Sequence, residues 1–350
     1  MKPGRTPPLR RQPLSREWHA ALPRPLRASP PPAGPRARRA AATWAAAAAA
    51  ALCSSLGLAG SDPASAHPAQ PASAAPQNAA PIHVRDDAGH TVELPAPARR
   101  AVVLAPHAVE LAYEAGAGAY VVGSVPGSDY PPEAHLLPQV GDGLRPDPER
   151  VAALRPDLLI AWQAGALRTL APVLQAHALP VYYSDPRTLD DIPIALERFG
   201  ALFGTQDVAN RRAQDLRERL DALTRRYATR APLRVFVQAG ANPLYALGDA
   251  GIIGDVLRRC GAVNVFADQA RAALQVSVES VLARRPDAIV AGASDAAEAA
   301  ELRRMWQGTG SAAAQRGHLY TLDADALYRP TGRLVDAAEQ LCAQLDAIRP

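Results

Sequence analysis

Few side chains in this 350-residue chain are typed and spaced for covalent chemistry. Its eight histidines, at positions 19, 67, 83, 90, 107, 135, 177 and 318, show no metal-ligand spacing. The chain has no G-x-S-x-G elbow, H-E-x-x-H pair, phosphate-binding loop or G-x-G-x-x-G turn. No nucleophile is therefore set beside a base, and no phosphate finds a cradle. Neither an enzyme nor a metal site is expected. Of the three cysteines, Cys260 and Cys342 lie in the body of the chain, and no C-x-x-C occurs. An even pair in an oxidising compartment is a candidate disulfide; two buried free thiols are the alternative.

The surrounding pattern alternates strands and helices. Residues 82–94 alternate in polarity around Asp87-Ala88-Gly89, which predicts a hairpin. A short apolar run over 101–105 reads as a buried strand ending at Pro106. Residues 109–117 have helical spacing, and 120–125 read as the next strand. Residues 148–162 (PERVAALRPDLLIAW) return as 278–292 (VESVLARRPDAIVAG), an offset of 130. Each copy is a short helix, an Arg-Pro-Asp turn that ends it, and a buried strand. The duplication predicts two α/β lobes, 82–204 and 232–350, each with a largely parallel sheet. Between them, 205–231 carries Ala209, Ala213, Leu216, Leu220, Leu223 and Tyr227 as one apolar stripe. Arg211 with Asp215, and Asp215 with Arg219, are expected as pairs on its exposed side. A single helix over 206–227 is predicted, a stiff strut between the lobes.

Charge divides the chain differently. Residues 1–66 hold ten of the 38 basic residues and two of the 34 acidic ones. The remainder carries 28 arginines against 32 carboxylates, a net charge of −4, so nucleic acid is not the expected partner. The basic stretch, the apolar run over 40–58 and the Ala64-Ser65-Ala66 site read as an export signal ending at residue 66 with an extended basic region. An uncleaved anchor is the alternative. Residues 67–81, small, polar and proline-rich, read as a disordered tether.

With these elements in place, the chain resembles the class III periplasmic binding proteins of ABC importers, whose two α/β lobes are joined by one backbone helix (the helical-backbone metal receptor type). The resemblance covers about 82–350. VVGSVPGSDYPPEA (121–134), VGDGLRPDPERVAALRPDLLIAW (140–162), RVFVQAGANPLYALG (234–248) and AAEQLCAQL (337–345) look most like its cobalamin-binding member. It implies a monomeric periplasmic protein that carries cobalamin to a permease-ATPase complex in the inner membrane. No resident cofactor is implied; the corrinoid is the transported ligand. It also favours a Cys260–Cys342 disulfide.

The resemblance implies a ligand cleft between the lobes. Trp162 matches a tryptophan lining it, Tyr130 and Tyr245 lie on loops beside it, and Asp325 and Arg329 take polar positions before the last helix. Each has a plainer alternative: a core tryptophan, loop anchors, a local salt bridge. His107, just after the first strand, is a candidate ligand for cobalt or for haem iron. Gly127, Ala239 and Ala273 depart from the resemblance, standing where family members carry aromatic rings. For permease docking, Glu279 matches the surface carboxylate of the second lobe. The first-lobe counterpart is Arg168, a charge reversal, and the candidate substitutes are Glu133 and Glu149, the latter the repeat equivalent of Glu279. A haem- or siderophore-binding protein of the same fold is the alternative function. A zinc or manganese receptor, or a sensor subunit that never carries ligand, are more distant ones.

Overall fold

The computed structural model describes residues 81–350. The expected export signal and all of the expected tether except Pro81 lie outside the described residues. The chain opens with a hairpin of β1 (Ile82–Arg85) and β2 (Thr91–Leu94), antiparallel from Ile82 opposite Leu94 to Arg85 opposite Thr91. β3 (Ala101–Val103), α1 (Pro106–Glu114), β4 (Val121–Gly123), α2 (Pro148–Ala153), β5 (Leu158–Ala161), α3 (Ala171–His177), β6 (Val181–Tyr183) and α4 (Asp191–Phe203) build the first lobe. Its four strands are parallel, in the order β4-β3-β5-β6. The helix begins earlier than its spacing suggested. Pro106 occupies the first helical turn, where a missing N–H costs nothing, so His107 is helical.

α5 (Gln206–Tyr227) leads to the second lobe. That lobe comprises β7 (Leu233–Ala241), β8 (Leu244–Leu247), α6 (Ile252–Arg259), β9 (Ala262–Asn264), β10 (Ala273–Gln275), α7 (Val278–Ala283), β11 (Ala288–Ala293), α8 (Ala296–Gln307), α9 (Ala312–Gln315), β12 (Leu319–Asp323), α10 (Ala324–Tyr328) and α11 (Gly332–Asp346). β9, β7, β11 and β12 are parallel; along one edge β8 runs antiparallel to β7, and β10 antiparallel to β8.

The repeat is a physical device built twice. Arg155 and Arg285, each preceding a proline that disfavours α geometry, stand at φ 46° and 47° and end α2 and α7. The carbonyl oxygens this leaves at the helix ends are capped by arginine side chains: Arg100 reaches Leu154 O, and Arg234 reaches Arg284 O at 2.7 Å. Asp157 and Asp287 then accept the backbone N–H of those same arginines, tying each turn to the neighbouring strand.

α5 spans about 33 Å at 1.5 Å per residue. Its six stripe residues are buried, as their spacing requires. One continuous apolar core runs through them from Val84 in the hairpin to Leu345 in α11, so the lobes share an interior. α4 packs closely on α5: a Cβ at Gly200 would stand 2.6 Å from the Ala209 Cβ, which forbids a larger residue there. On the polar face the expected Arg211–Asp215 pair gives way to Arg212. That side chain reaches both Asp215 and Glu114 of α1, whereas Asp215 and Arg219 pair at 3.8 Å.

Cys260, closing α6, is disulfide-bonded to Cys342 of α11, which sets aside the free-thiol alternative. The bridge closes a loop with a sequence separation of 82 residues. Loop-closure entropy gives such a crosslink about 4 kcal/mol. A Cys260→Ser/Cys342→Ser variant should lose most of that amount in denaturant unfolding. An unchanged midpoint would show that the bridge adds nothing to the shared core.

Candidate functional site

The parallel strands of both lobes point their C-terminal ends toward the loops that carry the expected site residues. Trp162 follows directly on β5 and is 44% exposed, so it is not a core tryptophan. Its indole N–H donates to Asp185 Oδ1 at 2.8 Å. Asp185 is held in turn by the Arg187 guanidinium, and its own N–H donates to Asp87. The His107 ring meets the indole edge-on, centroids 6.3 Å apart. Trp162 thus presents a flat apolar face whose rim is fixed by hydrogen bond and packing.

His107 is not the free cleft-wall imidazole that ligation needs. It is buried, and its Nε2 lies 3.0 Å from Ser184 O, which makes that nitrogen the protonated donor. Burial pushes its pKa down to about 4. It packs against Trp162.

Arg329 does pair locally with Asp325, at 2.7 Å, and it also crosses to the first lobe. There it meets Glu110 at 2.8 Å and Asp129 at 3.0 Å. Glu110 is almost wholly buried and also accepts from Thr331 Oγ1 and from Arg333. Glu114, one turn on, accepts the Gly332 N–H at the start of α11 and the Arg212 guanidinium of α5. Burial raises the Glu110 carboxyl above its ordinary range, and the two guanidiniums and the Thr331 hydroxyl oppose that rise. Burial likewise raises Asp325, against Arg329. A second tie lies at α4 and α6, where Arg259 pairs with Asp190 and Asp255 accepts the Leu189 N–H.

The remaining candidates are more scattered. Tyr130 lies at the lobe seam, with the Arg333 guanidinium over its ring at 4.3 Å. It lines a recess of ≈ 320 Å³ with Glu110, Tyr113, Glu114 and Arg333, a site that does not include Trp162. Tyr245 is half-buried on β8 opposite Gln275 and near Gly240. Glu149 and Glu279 occupy matching first turns of α2 and α7, both exposed. Hydrogen bonds from its own backbone N–H and from Ser277 hold the Glu279 carboxyl below its ordinary range. Arg168 is exposed as well. Reading the sequence missed Glu110, Asp129, Arg333, Asp185 and Tyr328. Glu110 had a signal: a carboxylate between Val109 and Leu111 in an apolar helix must find partners when buried.

Residues 102–326 match the family model described as periplasmic binding protein. The chain belongs to that family. It is 38% identical over 251 residues to the vitamin B12-binding protein of Vibrio cholerae serotype O1, covering 72% of this chain and 90% of that protein. The vitamin B12-binding protein of Pectobacterium carotovorum is 37% identical over 254 residues, covering 72% of this chain and 90% of its own. The crystal structure of the periplasmic vitamin B12-binding protein BtuF of Vibrio cholerae superposes with a TM-score of 0.65, over 72% of this chain and 98% of that one. A periplasmic heme-binding protein from Pseudomonas aeruginosa superposes at 0.61 with 26% identity, over 70% of this chain and 92% of that one. This family binds and delivers solutes; it is not a family of enzymes.

Two outcomes test the site's electrostatics. His107 is neutral when folded and titrates near 6.5 when unfolded. Its contribution is therefore complete above pH 6.5 and is lost as the pH falls toward 4, by about 3 kcal/mol in all. Urea unfolding of His107→Gln should show a flatter stability profile across that window than wild type; equal slopes would refute the assignment. Glu110→Gln removes the charge that faces Arg329 and Arg333, and should cost about 3 kcal/mol in the same assay. A loss below about 0.5 kcal/mol, the range of an exposed pair, would show that the seam is loose.

Proposed function

We propose that this protein captures cobalamin or a related corrinoid between its lobes and delivers it to an ABC permease-ATPase complex. The observation that carries the proposal is Trp162, a large apolar face left open at a strand end and fixed at its rim. A corrin is a broad, flat, mostly neutral ring with amide arms. It calls for preformed aromatic walls with a few polar groups beside them, and Asp325 and Tyr245 are the candidates for the second lobe. The ligand of the vitamin B12-binding relatives supports the same choice at 38% identity.

Haem fits less well. An imidazole ligand to iron must be free, but the His107 Nε2 is engaged with Ser184. Among the described residues, no three His, Cys, Asp or Glu side chains converge on a metal position. For delivery, Glu149 and Glu279 are the proposed docking carboxylates, one on each lobe at repeat-equivalent, exposed positions. Export with loss of residues 1–66, and action as a periplasmic monomer, belong to the same proposal.

Isothermal titration with cyanocobalamin tests it. Burying an aromatic removes 150–250 Å² from water. With Trp162 44% exposed, a ligand on it covers roughly half of that area, so Trp162→Ala should cost roughly 2–3 kcal/mol, about 30- to 150-fold in affinity. Wild-type protein that binds haem and leaves cyanocobalamin in solution would overturn the proposal.

A further inference from the structure

The two lobes differ at the position that matters most to Trp162. In the repeat, Trp162 aligns with Gly292, the residue 130 positions on. The strand that presents a tryptophan in the first lobe thus presents bare backbone in the second. That bare position is occupied. The ring of Tyr328, closing α10, lies so close over Gly292 that a Cβ there would stand 2.5 Å from Tyr328 Cε2. The phenol is pinned across two strands: it donates to Gln238 O of β7 at 2.7 Å and accepts the Gly292 N–H of β11 at 2.9 Å. Despite these anchors, Tyr328 is 36% exposed.

Among the described aromatic residues, Trp162, Tyr130 and Tyr328 are the exposed ones, and Tyr328 alone belongs to the second lobe. One face of Tyr130 is taken by Arg333. The residue after Tyr328 is Arg329, whose guanidinium already crosses to Glu110 and Asp129. Tyr328 is thus the sequence neighbour of the residue that ties the second lobe to the first.

We infer that Tyr328 is the aromatic wall of the second lobe, supplied from α10 to the place that Trp162 fills from a strand, and that its open face contacts the corrinoid. The inference rests on the corrinoid proposal and goes beyond it in naming a contact residue. It also accounts for how a cleft with Gly127, Ala239 and Ala273 at its small positions keeps flat apolar cover on both sides. A pinned ring loses little freedom when a ligand stacks on it, so its area goes into affinity.

The test titrates cyanocobalamin and haemin into wild type, Tyr328→Phe, Tyr328→Leu, Tyr328→Ala and Gly292→Ala, with a thermal melt of each. The wild-type titration decides the corrinoid proposal alone; the variants decide this inference. Tyr328→Phe keeps the face and should bind cyanocobalamin within about threefold of wild type. Tyr328→Leu and Tyr328→Ala should be weaker by about ten- to a hundredfold. Gly292→Ala, which displaces the ring without altering it, should weaken binding in the same direction. If wild type binds and the leucine variant binds as well, the aromatic face is not used and the inference fails. It fails equally if phenylalanine is as weak as alanine, since the hydroxyl anchor would then carry the effect. Should the alanine variant unfold, the phenylalanine and leucine pair still decides.

Discussion

Glu110 is a carboxylate with almost no access to water, and the side chains that donate to it, Arg329, Thr331 and Arg333, all belong to the other lobe. Burying such a charge is tolerable only while those partners stay in place. Parting the lobes here would leave one carboxylate and two guanidiniums to find water or new partners at once. Arg259 and Asp190 repeat the tie at α4 and α6. α5 adds its own, since Arg212 holds Glu114 of the first lobe and Arg219 holds Asp336 and Glu339 of the second. With an apolar core continuous through the same helix, the relative placement of the lobes is over-determined.

That constraint shapes how the site can bind. A cleft whose walls cannot travel far must have them in position beforehand. Trp162 has its N–H on Asp185 and its edge on His107, and Tyr328 has its phenol between two strands. Both rings are fixed at one end and open at the other. The expected ligand groups that disagree with this pattern are informative. Arg329 is consumed by three carboxylates and His107 by a backbone carbonyl, so both serve the frame that holds the walls.

What the sequence disclosed follows from the range of the interactions. The α5 stripe is a local periodicity, and its six apolar residues are the ones buried. The repeat was legible because a proline, the residue before it and an aspartate two places later make one turn with contacts near at hand. The seam was not legible, because Glu110 and Arg329 are 219 residues apart and nothing in either local pattern names the other. Arg212 displaced Arg211 for the same reason: spacing allowed either, and only Glu114 on α1 selected between them. Tyr328 left no trace, since its two partners are backbone atoms of distant strands.

The position of the repeat within each lobe explains why duplication reveals the frame and conceals the site. The Arg-Pro-Asp turns lie at the N-terminal ends of β5 and β11, where both copies need the same cap and the same aspartate brace. In parallel α/β sheets ligands gather at the opposite, C-terminal ends. The scaffold chemistry and the exposed Glu149/Glu279 pair are shared between the copies, and these are the residues held in register. The last position of the repeat, Trp162 against Gly292, is already at the binding end, and there the match stops. A glycine in place of a tryptophan looks like a loss until the backbone it bares is seen to seat Tyr328. Asymmetry is thus built on a symmetric frame, by exchanging a strand residue for one delivered from a neighbouring helix.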